Sequence, residues 1–234
     1  IPELVRQLTN KPVMVALTHG HIDHAGGMDQ FEEVYLHPAD FAMAQAVTPE
    51  ERGGYVDTML SMSDGIYSVT RYDVVVPKTR ARLLPLQGGT YLHLGNRDVM
   101  VFDTPGHTPG GLSYLDKKER LLFSGDACNM NTLLAAMGQP ATERTCVTAL
   151  KQTAEKLEAL HPYYDRHYNG HIGYADAKSC MPMPECLVRD CIALCENLLA
   201  GTIVGEKVEN PFCGECRLAR NNTMQIVYRD DQVK

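Results

Sequence analysis

The chain has 234 residues, 44% of them hydrophobic, and a formal net charge of −7 at pH 7. This composition is sufficient for a substantial hydrophobic core, and the acidic balance argues against nucleic acid as the main partner, because phosphate binding needs clustered Lys and Arg. No segment approaches the ~18 uninterrupted apolar residues of a membrane-spanning helix. We therefore expect a protein that acts on a small molecule, with neither nucleic acid nor a membrane as its partner.

Two strands and a helix are the first elements that the sequence predicts. The Val-rich run PVMVALT, residues 12–18, is typical of a buried strand that leads into a histidine-rich loop. FEEVYLH, residues 31–37, predicts a second short strand, and residues 38–47 predict a helix with Pro38 in its first turn. Because open α/β sheets usually bind ligands beyond the carboxyl ends of their strands, the loop after residue 18 is a candidate site.

Short strands are predicted from Ala81 onwards, where apolar or alternating runs are separated by turn residues. These runs cover residues 81–87, 90–106, 111–116 and 120–126. Within the second run, LGNRD at residues 94–98 predicts a hairpin turn.

Helices and strands alternate in the rest of the chain. Apolar residues recur at three- to four-residue spacing over 142–160, which predicts an amphipathic helix with Thr142 as its N-cap. A strand over 163–171, a helix over 184–201 and a final strand over 223–231 complete the prediction. Strands and helices in this order indicate a layered α/β sandwich, and we expect one domain over residues 1–234.

The stretch THGHIDHAGG, residues 18–27, has a high density of metal-ligating side chains. It places His19, His21, Asp23 and His24 within six positions, directly after the predicted strand 12–18. Imidazoles together with one carboxylate suit Zn²⁺, and also iron or manganese. The alternative is a His-rich surface loop that binds no metal ion. Four metal-ligating side chains within six positions, directly after a buried strand, make this alternative unfavourable.

Three later residues complete this pattern. His107 lies in DTPGHTPGG (103–111), Asp126 in LLFSGDA (121–127) and His171 in YNGHIG (168–173). Each follows a predicted strand and has glycine beside it or nearby, which lets the backbone approach closely. A single His in a turn or Asp after a strand is more often a surface or capping residue, but the ordered set predicts a metal site.

This ordered set resembles the metallo-β-lactamase-fold hydrolase superfamily, and within it is most similar to the glyoxalase II and lactonase branch. The resemblance runs from about Pro12 to His171. It implies a four-layer αββα sandwich and a dinuclear metal site, with zinc as the first expectation. It also implies how seven residues divide between the two ions. His19, His21 and His107 would hold one ion, Asp23, His24 and His171 the other, and Asp126 would bridge both.

The same resemblance implies a hydrolytic reaction. Two divalent ions would share a hydroxide and polarise a carbonyl, and Asp23 would orient the hydroxide and accept its proton as the catalytic residue. Antibiotic-degrading members generally lack the bridging carboxylate, so Asp126 favours thioester, lactone or other ester-like substrates. Two alternatives remain open: a mono-iron sulfur (persulfide) dioxygenase on the same fold, and a catalytically silent metal-binding protein.

The start of the chain departs from the family pattern. Members usually have several strands before the first histidine motif, whereas this chain reaches His19 almost at once. The resemblance therefore implies an N-terminal sheet that is short or truncated, and an open sheet edge of this kind favours a homodimer. The basic residues that bind glutathione in true glyoxalase II are not recognisable, so hydroxyacyl-glutathione is not the expected substrate.

The eight cysteines bear on two questions: the cellular compartment of the protein and the presence of a second metal site. Their uneven spacing is unlike that of a small disulfide-stapled secreted protein, and the first eleven residues lack a basic start followed by an apolar run, so we expect reduced thiols and a cytoplasmic location. Four of them are candidates for a second metal site: Cys191, Cys195, Cys213 and Cys216. Because a single C-x-x-C pair is a weak signal and helix cysteines are usually buried, packing is the favoured interpretation.

Overall fold

The computed structural model describes residues 1–62, 68–75, 78–134, 140–171 and 182–234. Its internal contacts form two compact units, Ile1–Leu86 and Gln87–Lys234. Both units contain helices and strands, so the predicted mixed α/β class is confirmed. The expectation that residues 1–234 act as one domain stays a prediction.

Within its described residues, the first unit contains four α-helices and a two-stranded sheet. Its elements are α1 (Pro2–Leu8), α2 (Ile22–Ala25), β1 (Glu33–Leu36), α3 (Phe41–Ala46), α4 (Pro49–Met62) and β2 (Arg82–Pro85). Strands β1 and β2 are parallel, with Val34 opposite Leu83. The core of this unit gathers Val34, Leu36 and Ala44, all at 0% exposure, around the sheet and α3.

The predicted strand over 12–18 is only partly right. Its second half runs beside β1, because Tyr35 N–H donates to the Val15 carbonyl at 2.8 Å and Leu17 N–H donates to the Tyr35 carbonyl at 2.9 Å. Its first half is not a buried strand, since Val13 and Met14 are 52% and 44% exposed. An apolar run predicts burial only where a neighbouring strand covers it, and β1 is too short to extend along residues 12–14.

The predicted helix over 38–47 is present but begins as a 3-10 turn at Pro38–Asp40 before α3. Helix α4 has no counterpart in the predicted elements. Its apolar residues do not line one face, and Gly53 and Gly54 lie in its middle, so neither periodicity nor propensity indicates it.

The part of the second unit that the structure describes contains two sheets and two long helices. Its elements are β3 (Tyr91–His93), β4 (Asp98–Asp103), β5 (Leu112–Asp116), β6 (Leu121–Phe123), β7 (Asn131–Leu133), α5 (Val147–Ala159), β8 (Arg166–Tyr168), α6 (Leu187–Leu199), β9 (Glu206–Asn210), β10 (Gly214–Arg220) and β11 (Gln225–Tyr228). The five-stranded sheet has the order β3-β4-β5-β6-β8, and the four-stranded sheet has the order β7-β11-β10-β9.

Strand direction in the five-stranded sheet positions the candidate ligands. Neighbours from β3 to β6 are antiparallel, whereas β6 and β8 are parallel. Consequently β4, β6 and β8 run the same way, and their carboxyl ends meet at one edge of the sheet. The turn between β5 and β6, which follows Asp116 at the end of β5, lies at the opposite edge.

One hydrophobic cluster joins the helices and sheets of this unit. Leu115 and Leu122 from the five-stranded sheet pack with Leu150 of α5, Leu194 of α6 and Ile226 of β11, all at 0% exposure. The predicted amphipathic helix is confirmed as α5, and the predicted helix over 184–201 is present as α6, followed by Gly201 with a φ of 69°. The fold of this unit therefore follows from burial of one face of each helix.

Two details differ from the predictions. Helix α5 begins at Val147 with Cys146 as its N-cap residue, so Thr142 is not the cap. The Thr142 side chain instead accepts a hydrogen bond from Arg144 N–H at 3.1 Å, within the turn that precedes the helix. The antiparallel pair β9 and β10 is not among the predicted strands, because half of its residues are charged. The hairpin turn over 94–98 is confirmed, with β3 and β4 antiparallel on either side.

Candidate metal centre

The histidine-rich segment of the first unit passes from extended backbone into the short helix α2. His19 and His21 are 2% and 7% exposed, and His21 is the N-cap residue of α2, which carries Asp23 and His24. A side chain at Gly26 would meet the Ile22 carbonyl oxygen at 2.3 Å, so the end of this turn requires glycine. The sequence THGHIDHAGG therefore folds into a tight corner that presents its ligand-type side chains together.

Within this unit, three imidazole rings lie side by side. The ring of His19 is 4.9 Å from that of His21 and 4.1 Å from that of His24, measured between centroids. His24 Nε2 is 3.5 Å from Asp23 Oδ2. Three imidazoles and a carboxylate are the kind of ligands that borderline divalent metal ions prefer.

In the second unit, His107 is held by a loop that connects β4 to β5. Thr104 N–H donates to the Gly111 carbonyl at 2.8 Å, which closes the loop, and Gly106 has a φ of 145° where a side chain would meet Leu150 Cα at 3.2 Å. The His107 Nδ1 lies 2.6 Å from the Leu133 carbonyl oxygen. Since a carbonyl only accepts, Nδ1 carries the proton in the neutral ring, and Nε2 presents its lone pair.

Asp126 lies between two histidines of the same unit. Its Oδ2 is 3.4 Å from His107 Nε2, and its Oδ1 is 2.8 Å from His171 Nε2. Asp126 is 8% exposed, in a turn that begins at Gly125 with a φ of 54°. His107, Asp126 and His171 follow β4, β6 and β8, respectively, at one edge of the sheet. The structure brings their side chains together, as the sequence predicts for neighbouring ligands.

His171 is held in place by Asn169, a residue that the sequence does not single out. The Asn169 side-chain oxygen accepts a hydrogen bond from His171 N–H at 3.0 Å, and Asn169 is 2% exposed. The Leu133 carbonyl beside His107 is a second support of this kind, and no sequence signal could identify it because every residue carries a carbonyl group.

A further buried histidine lies close to this edge but faces another group. His167 on β8 is 5% exposed, and its Nε2 lies 2.7 Å from Ser124 Oγ. Burial lowers the pKa of His167 to about 4, so the ring is neutral at physiological pH. Its contacts indicate a structural role in joining β8 to the turn before Asp126.

The four cysteines proposed as a second site are dispersed in packing roles. Cys191 and Cys195 are fully buried in the core on α6, whereas Cys213 and Cys216 lie at the β9–β10 hairpin, where Gly214 has a φ of 69°. Among the residues that the structure describes, no group that could hold a metal ion includes a cysteine. The packing interpretation is therefore the one that the structure supports.

The chain has a mixed α/β fold, and its His/Asp groups have the ligand chemistry of a metal site. The family model described as the metallo-beta-lactamase superfamily matches residues 3–134, which is more than half of the chain. The chain belongs to this superfamily, and the predicted family is confirmed. Helices in the described ranges include none long and apolar enough to cross a membrane.

Two curated relatives show which proteins the chain is similar to in sequence. The chain is 35% identical over 133 residues to the acyl-coenzyme A thioesterase MBLAC2 of Bos taurus, covering 53% of this chain and 44% of that protein. It is 26% identical over 115 residues to the hydroxyacylglutathione hydrolase of Bartonella quintana, covering 48% of this chain and 32% of that protein. The matched region thus spans less than half the length of either relative.

A solved structure supports the fold alone. A double mutant of the sec-alkyl sulfatase PisA1 superposes with a TM-score of 0.55 at 13% sequence identity, covering 85% of this chain and 35% of that chain. Together with the family match over residues 3–134, the mixed α/β structure confirms the predicted metallo-β-lactamase-type fold.

Proposed function

We propose that this protein is a metal-dependent hydrolase that cleaves small thioester substrates, with lactones and other esters as related candidates. The carboxylate of Asp126, with one oxygen facing His107 and the other facing His171, is the observation that supports this proposal most strongly. A carboxylate placed in this way has the arrangement expected of a bridging ligand between two ions.

The residues fit divalent metal ions on their chemistry. Five imidazoles and two carboxylates would hold two ions, with zinc as the first expectation and iron or manganese as alternatives: His19, His21, Asp23, His24, His107, Asp126 and His171. The hydrogen bond from His107 Nδ1 to the Leu133 carbonyl leaves Nε2 available as the ligand atom. Because these residues come from both units, we also propose that residues 1–234 act as one functional domain.

Two ions bound here would polarise a carbonyl group and lower the pKa of a water molecule toward ~7. Asp23 is the residue proposed to orient this water and accept its proton. Its carboxylate lies on α2 at 26% exposure and therefore can reach solvent and substrate, whereas Asp126 is almost fully enclosed. Different roles are therefore proposed for the two carboxylates.

Thioesters are the proposed substrate class because the two relatives described above are named for reactions on this bond type. An acyl-coenzyme A thioesterase and a hydroxyacylglutathione hydrolase both release a thiol from an acyl group. A thiolate is a good leaving group, so attack by an activated water is the demanding step, and a two-metal centre accelerates that step.

The test is hydrolysis of acyl-coenzyme A thioesters, simple lactones and a β-lactam by zinc-loaded protein. We expect thioester turnover, monitored by thiol release, and a loss of about 100-fold or more in Asp126→Asn, which keeps the shape but removes the charge of the carboxylate. Asp116→Asn is the matched control, since Asp116 is also a buried carboxylate of the second unit but lies at the opposite edge of the five-stranded sheet. Turnover of none of the esters by metal-loaded protein would contradict the proposal.

A further inference from the structure

Asp40 is a fully buried carboxylate in the unit that carries the histidine-rich segment. Its exposure is 0%, and its Oδ2 accepts a hydrogen bond from Gly20 N–H at 3.0 Å. Gly20 separates His19 from His21, so this bond links the residue before α3 to the backbone between two proposed ligands. A buried carboxylate is costly unless hydrogen bonds compensate it, which makes this contact a strong restraint on both partners.

The contact with Asp40 also requires that residue 20 be glycine. A side chain at position 20 would bring its Cβ to 2.8 Å from the Asp40 carbonyl oxygen and to 3.1 Å from the Asp40 Cβ. The backbone of the histidine-rich segment is thus packed directly against residue 40. The directions of the His19 and His21 side chains depend on this packing as well as on the local turn.

Helix capping does not account for Asp40. Asp40 occupies the N-cap position of α3, where an aspartate usually accepts a bond from the first turn of its own helix. Its side chain makes no such bond, and its Oδ2 instead receives the hydrogen bond from Gly20.

The other half of the histidine-rich segment has a separate support. Arg52 donates a hydrogen bond to the carbonyl of Gly26, which ends the short helix bearing Asp23 and His24, and Arg52 also pairs with the buried Asp29. Arg52 thus contacts the end of the segment that carries Asp23 and His24, whereas Asp40 contacts Gly20, between His19 and His21.

We propose that Asp40 is a positioning residue that holds His19 and His21 in the arrangement needed for metal binding. This inference rests on the proposed function, because it assumes that the two histidines bind a metal ion. Supports of this kind around metal ligands typically change metal affinity by ~10–100-fold when they are removed.

The experiment compares Zn²⁺ affinity, measured by competition with a chromophoric chelator, in wild-type protein and in Asp40→Ala, Asp40→Asn and Gly20→Ala. Asp40→Ala removes the acceptor and is expected to weaken affinity ~10–100-fold. Asp40→Asn keeps an oxygen that can accept from Gly20 N–H, so it should recover most of this loss. Gly20→Ala disturbs the same contact from the other side and should weaken binding as Asp40→Ala does.

Asp116→Ala is the control for a purely structural effect. Asp116 is 4% exposed and accepts backbone N–H bonds from Lys118 and Glu119 at 3.0 Å, so its removal also deletes a buried carboxylate with main-chain partners. It should lower the melting temperature without changing Zn²⁺ affinity. The visible absorption of Co²⁺-loaded protein gives a second readout, since Asp40→Ala should alter the ligand-field bands and Asp116→Ala should not.

Unchanged Zn²⁺ affinity in both Asp40→Ala and Gly20→Ala would overturn the inference, as would an equal loss in Asp116→Ala. If Asp40→Ala does not fold, Asp40→Asn and Gly20→Ala decide the question, and equal affinities in those two variants and the wild type would count against the inference. A wild-type protein that binds no divalent ion would instead overturn the proposed function itself.

Discussion

The stability of this protein should fall in mild acid because of one buried histidine, His167. Its Nε2 lies 2.7 Å from Ser124 Oγ, whose hydroxyl can itself donate to the carbonyls of Gly125 and Cys128 at 3.0 and 3.3 Å. Ser124 then accepts a hydrogen bond from a neutral imidazole. Burial lowers the pKa of His167 from 6.5 to about 4.

The sign and size of the effect follow from the different proton binding of the folded and unfolded chains. Between about pH 6.5 and about pH 4, the unfolded chain takes up a proton on this ring and the folded protein does not, so the free energy of unfolding decreases as the pH falls. The pKa of His167 is about 4 in the folded protein and 6.5 in the unfolded chain. At ~1.36 kcal/mol per pKa unit, this difference lowers the free energy of unfolding by about 3 kcal/mol over this pH range. Above about pH 7 the contribution of His167 no longer changes.

The assay is urea unfolding of the metal-free protein at a series of pH values, for the wild type and for His167→Gln. Other histidines titrate in both proteins, so the difference between the two unfolding free energies isolates His167. We expect this difference to shift by about 3 kcal/mol in favour of the variant on going from pH 7 to pH 4. His93→Gln, at a surface histidine with a 75% exposed side chain, is the control for the replacement of a histidine by glutamine. A difference between wild type and His167→Gln that does not vary with pH would refute the reasoning.

Three further changes test packing, loop geometry and metal linkage. Leu157→Ala in the core face of α5, at 0% exposure, should lower the free energy of unfolding by ~2–5 kcal/mol in urea, whereas Leu199→Ala, at 37% exposure, should change it by less than about 0.5 kcal/mol. Gly106→Ala places a side chain at a φ of 145° against Leu150 and should cost about 1–3 kcal/mol in the same assay; an unchanged midpoint would show that the loop relaxes freely. Saturation with zinc at about 100 times the dissociation constant should stabilise the protein by about 2.7 kcal/mol, measured as a rise in melting temperature that a chelator reverses. A melting temperature insensitive to both zinc and chelator would contradict metal binding to the folded state.

Predictions from the sequence succeed where one local pattern controls one structural feature. The helix α6 was predictable because its apolar residues recur on one face, and that face is the one buried in the core. The residues Asp126 and His171 were predictable as neighbours because each follows a short strand, and strands that run the same way in one sheet bring their carboxyl ends together.

Other features depend on partners distant in the chain, so local patterns do not reveal them. Asp40 looks like an ordinary helix cap in the sequence, and only its contact with Gly20 shows that it faces the histidine-rich segment. Thr142 has the residue type of an N-cap, yet packing places the start of α5 at Val147. In the pair formed by β9, at the edge of its sheet, and β10, half of the residues are charged, so their strand character comes from pairing with neighbouring strands.

The central claim, a two-metal centre bridged by Asp126, is tested most directly by the metal content of protein purified without chelator. Elemental analysis should find two divalent ions per chain, zinc by first expectation, in the wild type and in the control Asp116→Asn. Asp126→Ala should contain clearly less metal, because both ions lose the carboxylate that lies between His107 and His171. A wild-type protein with a single iron, or with no metal, would contradict the account.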